Sequence, residues 1–334
     1  MQGHCKNYNG WGLTTNRQVI MHTRWNTLHS SSTHTYITQT GVQSNPDPAT
    51  ITLPDSFKEA MKSQHADKWK QAMDQEMGRI KENDVYDHIS RVDVPFNHKV
   101  IGTCWVYKVK SDFTFKARLV VQGWSQRPGI DCGATFAPVC RIESQRLLLA
   151  ISTQHDWDIY TLDVKSAFPQ SIIDEEAFVK QASGYGMLEA ATGIPMVMKL
   201  KQAVYGLRTA SRVWYLTLDE ALKTIDFTST NSASCLYIYE MEGGYVLFSI
   251  YVDDILFTGP EKNLLGQLKE KLMARFSMTD LGEVSLILGM KITRDRSKRT
   301  KANTPHQPNG LHTHHLGSVQ HEGLQPGKHT KYGC

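Results

Sequence analysis

Apolar residues recur at helical spacing in four segments of the chain. This spacing lines up the apolar side chains along one face of a helix, as in helices that pack against a core. The first segment begins just after Pro54, where Asp55 or Ser56 is available to cap a helix. The pattern predicts helices at about 55–82, 142–155, 211–225 and 261–276.

Shorter apolar runs between these segments predict strands. Two of them, at 100–110 and 116–124, are separated by only the segment SDFTF and are typical of a hairpin. A third strand is predicted at 158–164, where the residues of two faces alternate. The run at 245–259 predicts two apolar strands joined in the middle by a pair of acids. Helices mixed with antiparallel hairpins indicate an α+β fold.

The two ends of the chain lack both kinds of pattern. Residues 1–53 are rich in Ser, Thr, Asn, Gln and His, and residues 297–334 combine many histidines with few large apolar residues. The hydrophobic fraction of the whole chain, 40%, lies below the roughly 45–50% of typical soluble domains. We therefore predict that both ends are disordered.

The composition also limits the class of protein. No apolar run approaches the roughly 20 residues of a membrane-spanning helix, and the first residues lack the apolar stretch of a secretory signal. The six cysteines form no CxxC pair. These features predict an intracellular protein, cytoplasmic or nuclear, with no membrane partner. A net charge of +4 is too small to identify a nucleic-acid binder by itself.

Carboxylates stand where two of the predicted strands end. Asp253 and Asp254 lie between the two apolar strands, a position that a polar two-residue turn would also explain. Asp163 ends the strand predicted at 158–164. Carboxylates on separate strands can hold two Mg²⁺ ions about 3.5–4 Å apart, an arrangement that serves phosphoryl transfer.

Six motifs occur in an order that resembles the reverse transcriptase of copia-type (Ty1/copia) long-terminal-repeat retrotransposons. They are KVIGTCWVYKVK, KARLVVQG, LDVKSAF, LKQAVYGLRTASRVWY, YVDDILFTG and DLGEVSLILGMKI, and the resemblance covers about residues 57–296. It implies an RNA-directed DNA polymerase with a right-hand fold. In that fold, fingers at 54–156 would precede a palm at 157–296, built on an antiparallel sheet with helices packed behind it.

The resemblance implies roles for the acids and for two cations. Asp163, Asp253 and Asp254 match the catalytic, metal-binding aspartates of the palm, with two Mg²⁺ ions, or Mn²⁺ in their place, as cofactor. Lys116 and Arg118 match the fingers cations that bind the triphosphate of the incoming nucleotide. The alternative for these two residues is an ordinary solvated strand face.

Aromatic and glycine positions are matched with less specificity. Phe168 matches the aromatic gate that would collide with a ribose 2′-hydroxyl, although a core aromatic is the alternative. Leu288 and Gly289 match the primer-gripping hairpin, and a plain turn fits them equally well. Trp105 and Trp124 flank the predicted fingers hairpin and could stack on template bases, but burial in the core is the favoured interpretation.

Several positions depart from the family pattern. Thr209, at the nucleotide-binding position, replaces a glutamine that helps to place the incoming nucleotide, and Ser211 replaces a proline. Ser171 replaces a turn glycine, and the SDFTF connection is shorter than the usual fingers loop. These changes suggest a decaying copy.

The family pattern also stops near residue 299, where we suspect a frameshift in place of the thumb. No segment resembles the RNase H or integrase portions that accompany the reverse transcriptase in this family. The histidines of the tail have no cysteine at zinc spacing, so we expect no metal site there.

Three functions are compatible with these observations. The first is an RNA-directed DNA polymerase acting on an RNA or DNA template with its primer and on deoxynucleotide triphosphates. The second is a catalytically dead transposon remnant that at most binds nucleic acid, and the third is a structural interaction protein. The intact aspartates favour the first, whereas Thr209 and the altered tail favour the second. Together they predict weak, distributive primer extension at best.

Overall fold

The computed structural model describes residues 51–230 and 233–294. The predictions of disorder in the lead-in up to residue 50 and in the tail lie outside these residues. So do the suspected frameshift near residue 299 and the prediction for the tail histidines. None of the helices in the described part is long and apolar enough to cross a membrane.

The described residues contain five α-helices. They are α1 (Phe57–Lys62), α2 (Ala66–Glu82), α3 (Ile142–Gln154), α4 (Ala210–Lys223) and α5 (Lys262–Arg275). The segment predicted as one helix at 55–82 is thus two helices. Ser56 caps α1, because its Oγ accepts a hydrogen bond from the Glu59 backbone N–H at 3.2 Å. At the end of α1 the Ser63 hydroxyl donates to the Ala60 carbonyl at 2.8 Å, a side-chain bond that competes with helix continuation.

Strands make up most of the remaining regular secondary structure. They are β1 (Tyr86–Ile89), β2 (Val100–Ile101), β3 (Thr103–Val109), β4 (Phe115–Val121), β5 (Ile159–Val164), β6 (Ile172–Lys180), β7 (Val197–Gln202), β8 (Thr228–Thr230), β9 (Ala233–Met241), β10 (Gly244–Tyr251), β11 (Asp254–Thr258), β12 (Met278–Glu283), β13 (Leu286–Ile287) and β14 (Met290–Lys291). The mixture of helices with mainly antiparallel sheets confirms the α+β class.

A six-stranded antiparallel sheet forms the centre of the molecule, in the order β12-β5-β11-β10-β9-β8. Helices α4 and α5 cover one face, where Trp214, Leu218 and Leu268 join the main core. Helix α3 and the β13–β14 hairpin cover the other face through a second cluster that includes Leu148 and Ile287. Because both faces are covered, the residues of β10 and β11 are almost continuously buried rather than alternating between buried and exposed.

A smaller four-stranded sheet, β1-β7-β6-β2, and the β3–β4 hairpin complete the fold. The hairpin was predicted, but its first arm is divided, because β2 pairs with β6 rather than with β4. Helix α2 packs against the hairpin through Trp69, whose ring lies 4.4 Å from that of Phe115 and 5.1 Å from that of Tyr107, measured between centroids. The short connection holds Phe113 at φ +60°, a left-handed conformation that is costly for a bulky residue.

Candidate active site

Two of the predicted aspartates lie side by side in the central sheet. Strands β5 and β11 are antiparallel neighbours, and Asp163 is the direct register partner of Asp254. Directly opposite residues share a face of the sheet, with Cβ atoms about 4.5–5.5 Å apart. Asp163 is half-buried, whereas Asp254 is only 1% exposed. The pairing brings together two acids that are far apart in sequence.

The third aspartate lies in the turn between β10 and β11. This turn consists of Val252, at φ +58°, and Asp253. The Asp253 carbonyl accepts a hydrogen bond from the Val164 backbone N–H at 2.9 Å. On the other side, the Trp214 indole N–H donates to the Val252 carbonyl at 2.7 Å. The predicted joint at Asp253-Asp254 is therefore displaced by one residue, and the turn is fixed to both β5 and α4.

The acids and the β13–β14 hairpin share one face of the sheet. Side chains alternate along a strand, so Asp163 lies on the side of Ile159, and Asp254 on that of Leu256. Ile159 and Leu256 both belong to the cluster that contains Ile287 of β13. The segment predicted to grip a primer is thus packed on the sheet face that carries the acids.

The carboxylates suit a hard divalent ion, although they do not form a metal cage of their own. Within residues 51–230 and 233–294, no three His, Cys, Asp or Glu side chains are grouped so as to hold a metal. Mg²⁺ is usually bound by one or two carboxylates together with substrate phosphates and water. Asp163 and Asp253, both half-buried, provide oxygen ligands of that kind.

The two predicted phosphate-binding cations lie on one face of β4. Lys116 and Arg118 are both half-buried, and the Arg118 guanidinium lies 4.5 Å from the centre of the Tyr205 ring. Burial and the neighbouring charge of Arg118 lower the pKa of Lys116 to about 8. A cleft of about 80 Å³ beside Lys116 is also lined by Arg79 and Lys110. This concentration of positive charge differs from an ordinary solvated strand face.

Tyr205 lies against Arg118 and was not among the residues singled out in the sequence. Burial raises the pKa of its phenol to about 12, and the charges of Arg118 and Asp253 both act on it. Its ring also packs edge-on against Phe168, with centroids 5.1 Å apart. Tyr205 occurs in the motif that contains Thr209, but nothing in its spacing indicated a contact with Arg118.

Comparison with models of known protein families shows the family of the chain. The model for reverse transcriptase (RNA-dependent DNA polymerase) matches residues 83–304, more than half of the chain. The chain belongs to the reverse transcriptase family.

Three relatives illustrate the resemblance. The retrovirus-related Pol polyprotein from transposon TNT 1-94 of Nicotiana tabacum is 36% identical over 252 residues, which are 74% of this chain and 18% of the polyprotein. That of transposon RE1 of Arabidopsis thaliana is 34% identical, over 68% of this chain and 16% of the polyprotein. The putative transposon Ty5-1 protein of Saccharomyces cerevisiae is 32% identical, over 39% of this chain and 42% of its own length.

These matches confirm the resemblance to copia-type retrotransposons. The description of the matching family model names RNA-dependent DNA polymerase as the activity of that family. The chain spans less than a fifth of the length of the two Pol polyproteins.

Phe168 is part of the core in this structure. Its side chain is 1% exposed, and it follows a tight turn in which Ser166 has φ +51°. The ring contacts Tyr205 rather than solvent. Its role as a nucleotide gate stays a prediction, and the core alternative agrees with this burial.

The two tryptophans near the hairpin differ. Trp105 is buried, as expected, and its indole N–H donates to the Ser183 carbonyl at 3.0 Å. Trp124 is 70% exposed, so the favoured prediction of burial is wrong for it. It lies in a short 3₁₀ turn whose backbone is bound by Arg208, which donates to the Gly123 carbonyl at 3.1 Å. The turn is held through its backbone, and the Trp124 side chain projects outward.

The predicted primer-binding residues form a tight turn between β13 and β14. Leu288 and Gly289 have φ values of +48° and +77°. Two positive φ values in succession are typical of a type I′ hairpin turn, which favours glycine. The geometry fits both a primer grip and a plain turn, so the primer-binding role stays a prediction.

Thr209 is buried inside the protein and forms a hydrogen bond there. The residue is 0% exposed, and its hydroxyl donates to Glu175 Oε1 at 2.6 Å. The other oxygen of Glu175 accepts a hydrogen bond from the Gly133 backbone N–H at 3.1 Å. A residue predicted to bind nucleotide is thus committed to an internal hydrogen bond.

We expect Thr209→Gln to destabilise the fold by about 1–3 kcal/mol, because a larger side chain must enter a filled site. Urea unfolding of the variant and of Thr52→Gln, an exposed control, measures this loss. Unfolding of Thr209→Gln at the same urea concentration as the parent chain would show that the site accommodates the larger side chain.

Proposed function

We propose that this chain is the RNA-directed DNA polymerase portion of a retrotransposon Pol polyprotein. Its fingers would comprise residues 54–156, and its palm residues 157–296. The observation that carries the proposal is the pairing of Asp163 with Asp254 across β5 and β11, with Asp253 in the adjoining turn. In the polyprotein, RNase H and integrase portions would be its neighbours.

The chemistry would be nucleotidyl transfer to a primer on an RNA or DNA template. The primer 3′-hydroxyl attacks the α-phosphate of a deoxynucleotide triphosphate, and pyrophosphate leaves. Mg²⁺ ions, when bound, would supply Lewis-acid stabilisation of the attacking and leaving oxygens. Asp163 and Asp253 would hold these ions, and Asp254 would support them from its buried position.

Lys116 and Arg118 would bind the triphosphate. A planar guanidinium such as that of Arg118 can donate two parallel hydrogen bonds to phosphate oxygens. The ammonium of Lys116 adds a compact positive charge. The charges of Arg118 and Asp253 both act on the half-buried Tyr205, which supports the proposal that the cations and the acids surround a common substrate.

One observation favours the second candidate, a remnant that binds nucleic acid without extending a primer. Thr209 stands where the family has glutamine, and its hydroxyl is bound to Glu175. Small errors in the position of reacting groups can cost about 100-fold in rate. A remnant of this kind would still bind template through its charged surfaces.

A primer-extension assay separates the two candidates. The full chain is incubated with a DNA primer on an RNA template, deoxynucleotide triphosphates and Mg²⁺, and fluorescence anisotropy records template binding in parallel. The polymerase proposal expects extended primer that is lost when Mg²⁺ is chelated. Template binding without any extension contradicts it and supports the remnant.

A further inference from the structure

Helix α2 places a buried carboxylate at the outer edge of β4. Glu76 is 5% exposed, and its carboxylate accepts a hydrogen bond from the Leu119 backbone N–H. Two residues further along the same edge, the Val121 N–H donates to the Tyr205 carbonyl at 2.7 Å. The edge of β4 that faces away from β3 is therefore held by Glu76 and by the backbone of Tyr205.

Glu76 also lies among the cations of the candidate triphosphate site. Its Oε2 is 3.5 Å from Arg79 Nη1, and the charges of Arg118 and Lys116 act on it as well. Lys116 is acted on by Arg118 from its own strand, by Lys110 from the hairpin turn, and by Arg79 and Glu76 from α2. Glu76 is the one negatively charged group among the described residues that act on Lys116.

We propose that Glu76 is a positioning residue that holds Lys116 and Arg118 in place to receive a triphosphate. The inference rests on the proposed function, which assigns these two cations to the incoming nucleotide. The Leu119 hydrogen bond fixes the strand between them, and the carboxylate offsets the mutual repulsion of the two side chains. Glu76 itself would not contact the nucleotide.

The energetic cost of this carboxylate supports a functional role. Burial raises the pKa of Glu76, although Arg118, Arg79 and Lys116 oppose the shift. A carboxyl whose pKa is raised by folding contributes stability at low pH, and that contribution is lost as the pH rises through the folded-state value. At neutral pH the ionised Glu76 carboxylate therefore lowers the stability of the folded state. Its removal should not lower the melting temperature.

Inorganic tripolyphosphate is the probe, because it carries the charge of the triphosphate without base or sugar. Its dissociation constant is measured for the full chain without divalent metal. Glu76→Gln keeps an acceptor for the Leu119 N–H but removes the charge that offsets the repulsion between Lys116 and Arg118, so we expect binding to weaken about tenfold. The control is Glu82→Gln, an exposed acid on the same helix, which should leave the dissociation constant unchanged.

A pH series adds a readout that a purely structural role would not change. Loss of the Glu76 charge leaves Lys116 beside Arg118, Lys110 and Arg79, so its pKa should fall below about 8. Tripolyphosphate binding should then weaken at a lower pH in Glu76→Gln than in the parent chain. The melting temperature should be unchanged or higher.

Several results would overturn the inference. Unchanged or tighter tripolyphosphate binding by Glu76→Gln would show that the carboxylate does not position the cations. An equal loss in Glu82→Gln, or no binding by the parent chain, would also contradict it. Failure of the polymerase proposal would give a different result. The chain would not extend primers, but its tripolyphosphate binding would still depend on Glu76.

Discussion

Asp253→Asn is expected to lower the rate of RNA-templated primer extension by about 10³-fold. Loss of one hard oxygen ligand removes several kcal/mol of stabilisation from the developing charge, and each 1.4 kcal/mol corresponds to about tenfold in rate. Mg²⁺ titration of the same variant should show weakened binding. The position of Asp253 in the turn, next to β5, makes this carboxylate the most direct test of the site.

A matched control is available at the opposite end of β10. Glu242 lies exposed in the turn between β9 and β10, so Glu242→Gln removes an equal charge from the turn at the other end of β10. It should retain full activity. Asp253→Asn should also unfold at no lower a temperature than the parent chain, because it relieves repulsion next to Asp163 and Asp254. An unchanged rate in Asp253→Asn would place the chemistry elsewhere.

Trp214→Ala is expected to cost about 3–5 kcal/mol of unfolding free energy, the largest stability effect we predict. The indole is buried between α4 and the central sheet, and its ring lies 5.4 Å, edge-on, from that of Phe276. Its N–H also fixes the Val252 carbonyl, so removal would leave the turn bound on one side only. Urea unfolding measures the loss.

Trp214→Phe separates packing from the hydrogen bond. It keeps an aromatic ring and deletes the N–H, so we expect a loss of about 1–2 kcal/mol together with slower primer extension. The control is Trp124→Ala, which removes an exposed indole and should change stability by less than about 0.5 kcal/mol. Full activity of a folded Trp214→Phe would mean that the Val252 hydrogen bond does not hold Asp253 in place.

The parts of the fold that the sequence predicts are those whose apolar pattern is strong and local. Helices α3, α4 and α5 and the strands β10 and β11 were recognised within a few residues. The helices bury one apolar stripe and the two strands are buried on both faces, so the spacing of apolar residues in the sequence reflects directly which side chains are buried. The aspartates were found because acids within such apolar strands are conspicuous.

The strands that escaped prediction depend on partners distant in the chain. Strand β6 contains Asp174 and Glu175, acids that are unfavourable in an isolated strand. In the fold, Asp174 forms an ion pair with Arg212, and Glu175 accepts a hydrogen bond from Thr209. Glu76 was missed for the same reason. It is one of several acids along α2, and it differs from the others through its hydrogen bond to Leu119 at the edge of β4, which the sequence does not show.

The direct pairing of Asp163 with Asp254 makes the site more vulnerable to insertions and deletions than to most substitutions. Side chains alternate along a strand, so one residue added to or removed from β11 would turn the following side chains toward the opposite face. A copy that accumulates point changes, such as Thr209 or Ser171, can keep its paired acids. One extra codon within β11 would separate the acids from the packing that holds them, even with every aspartate still encoded.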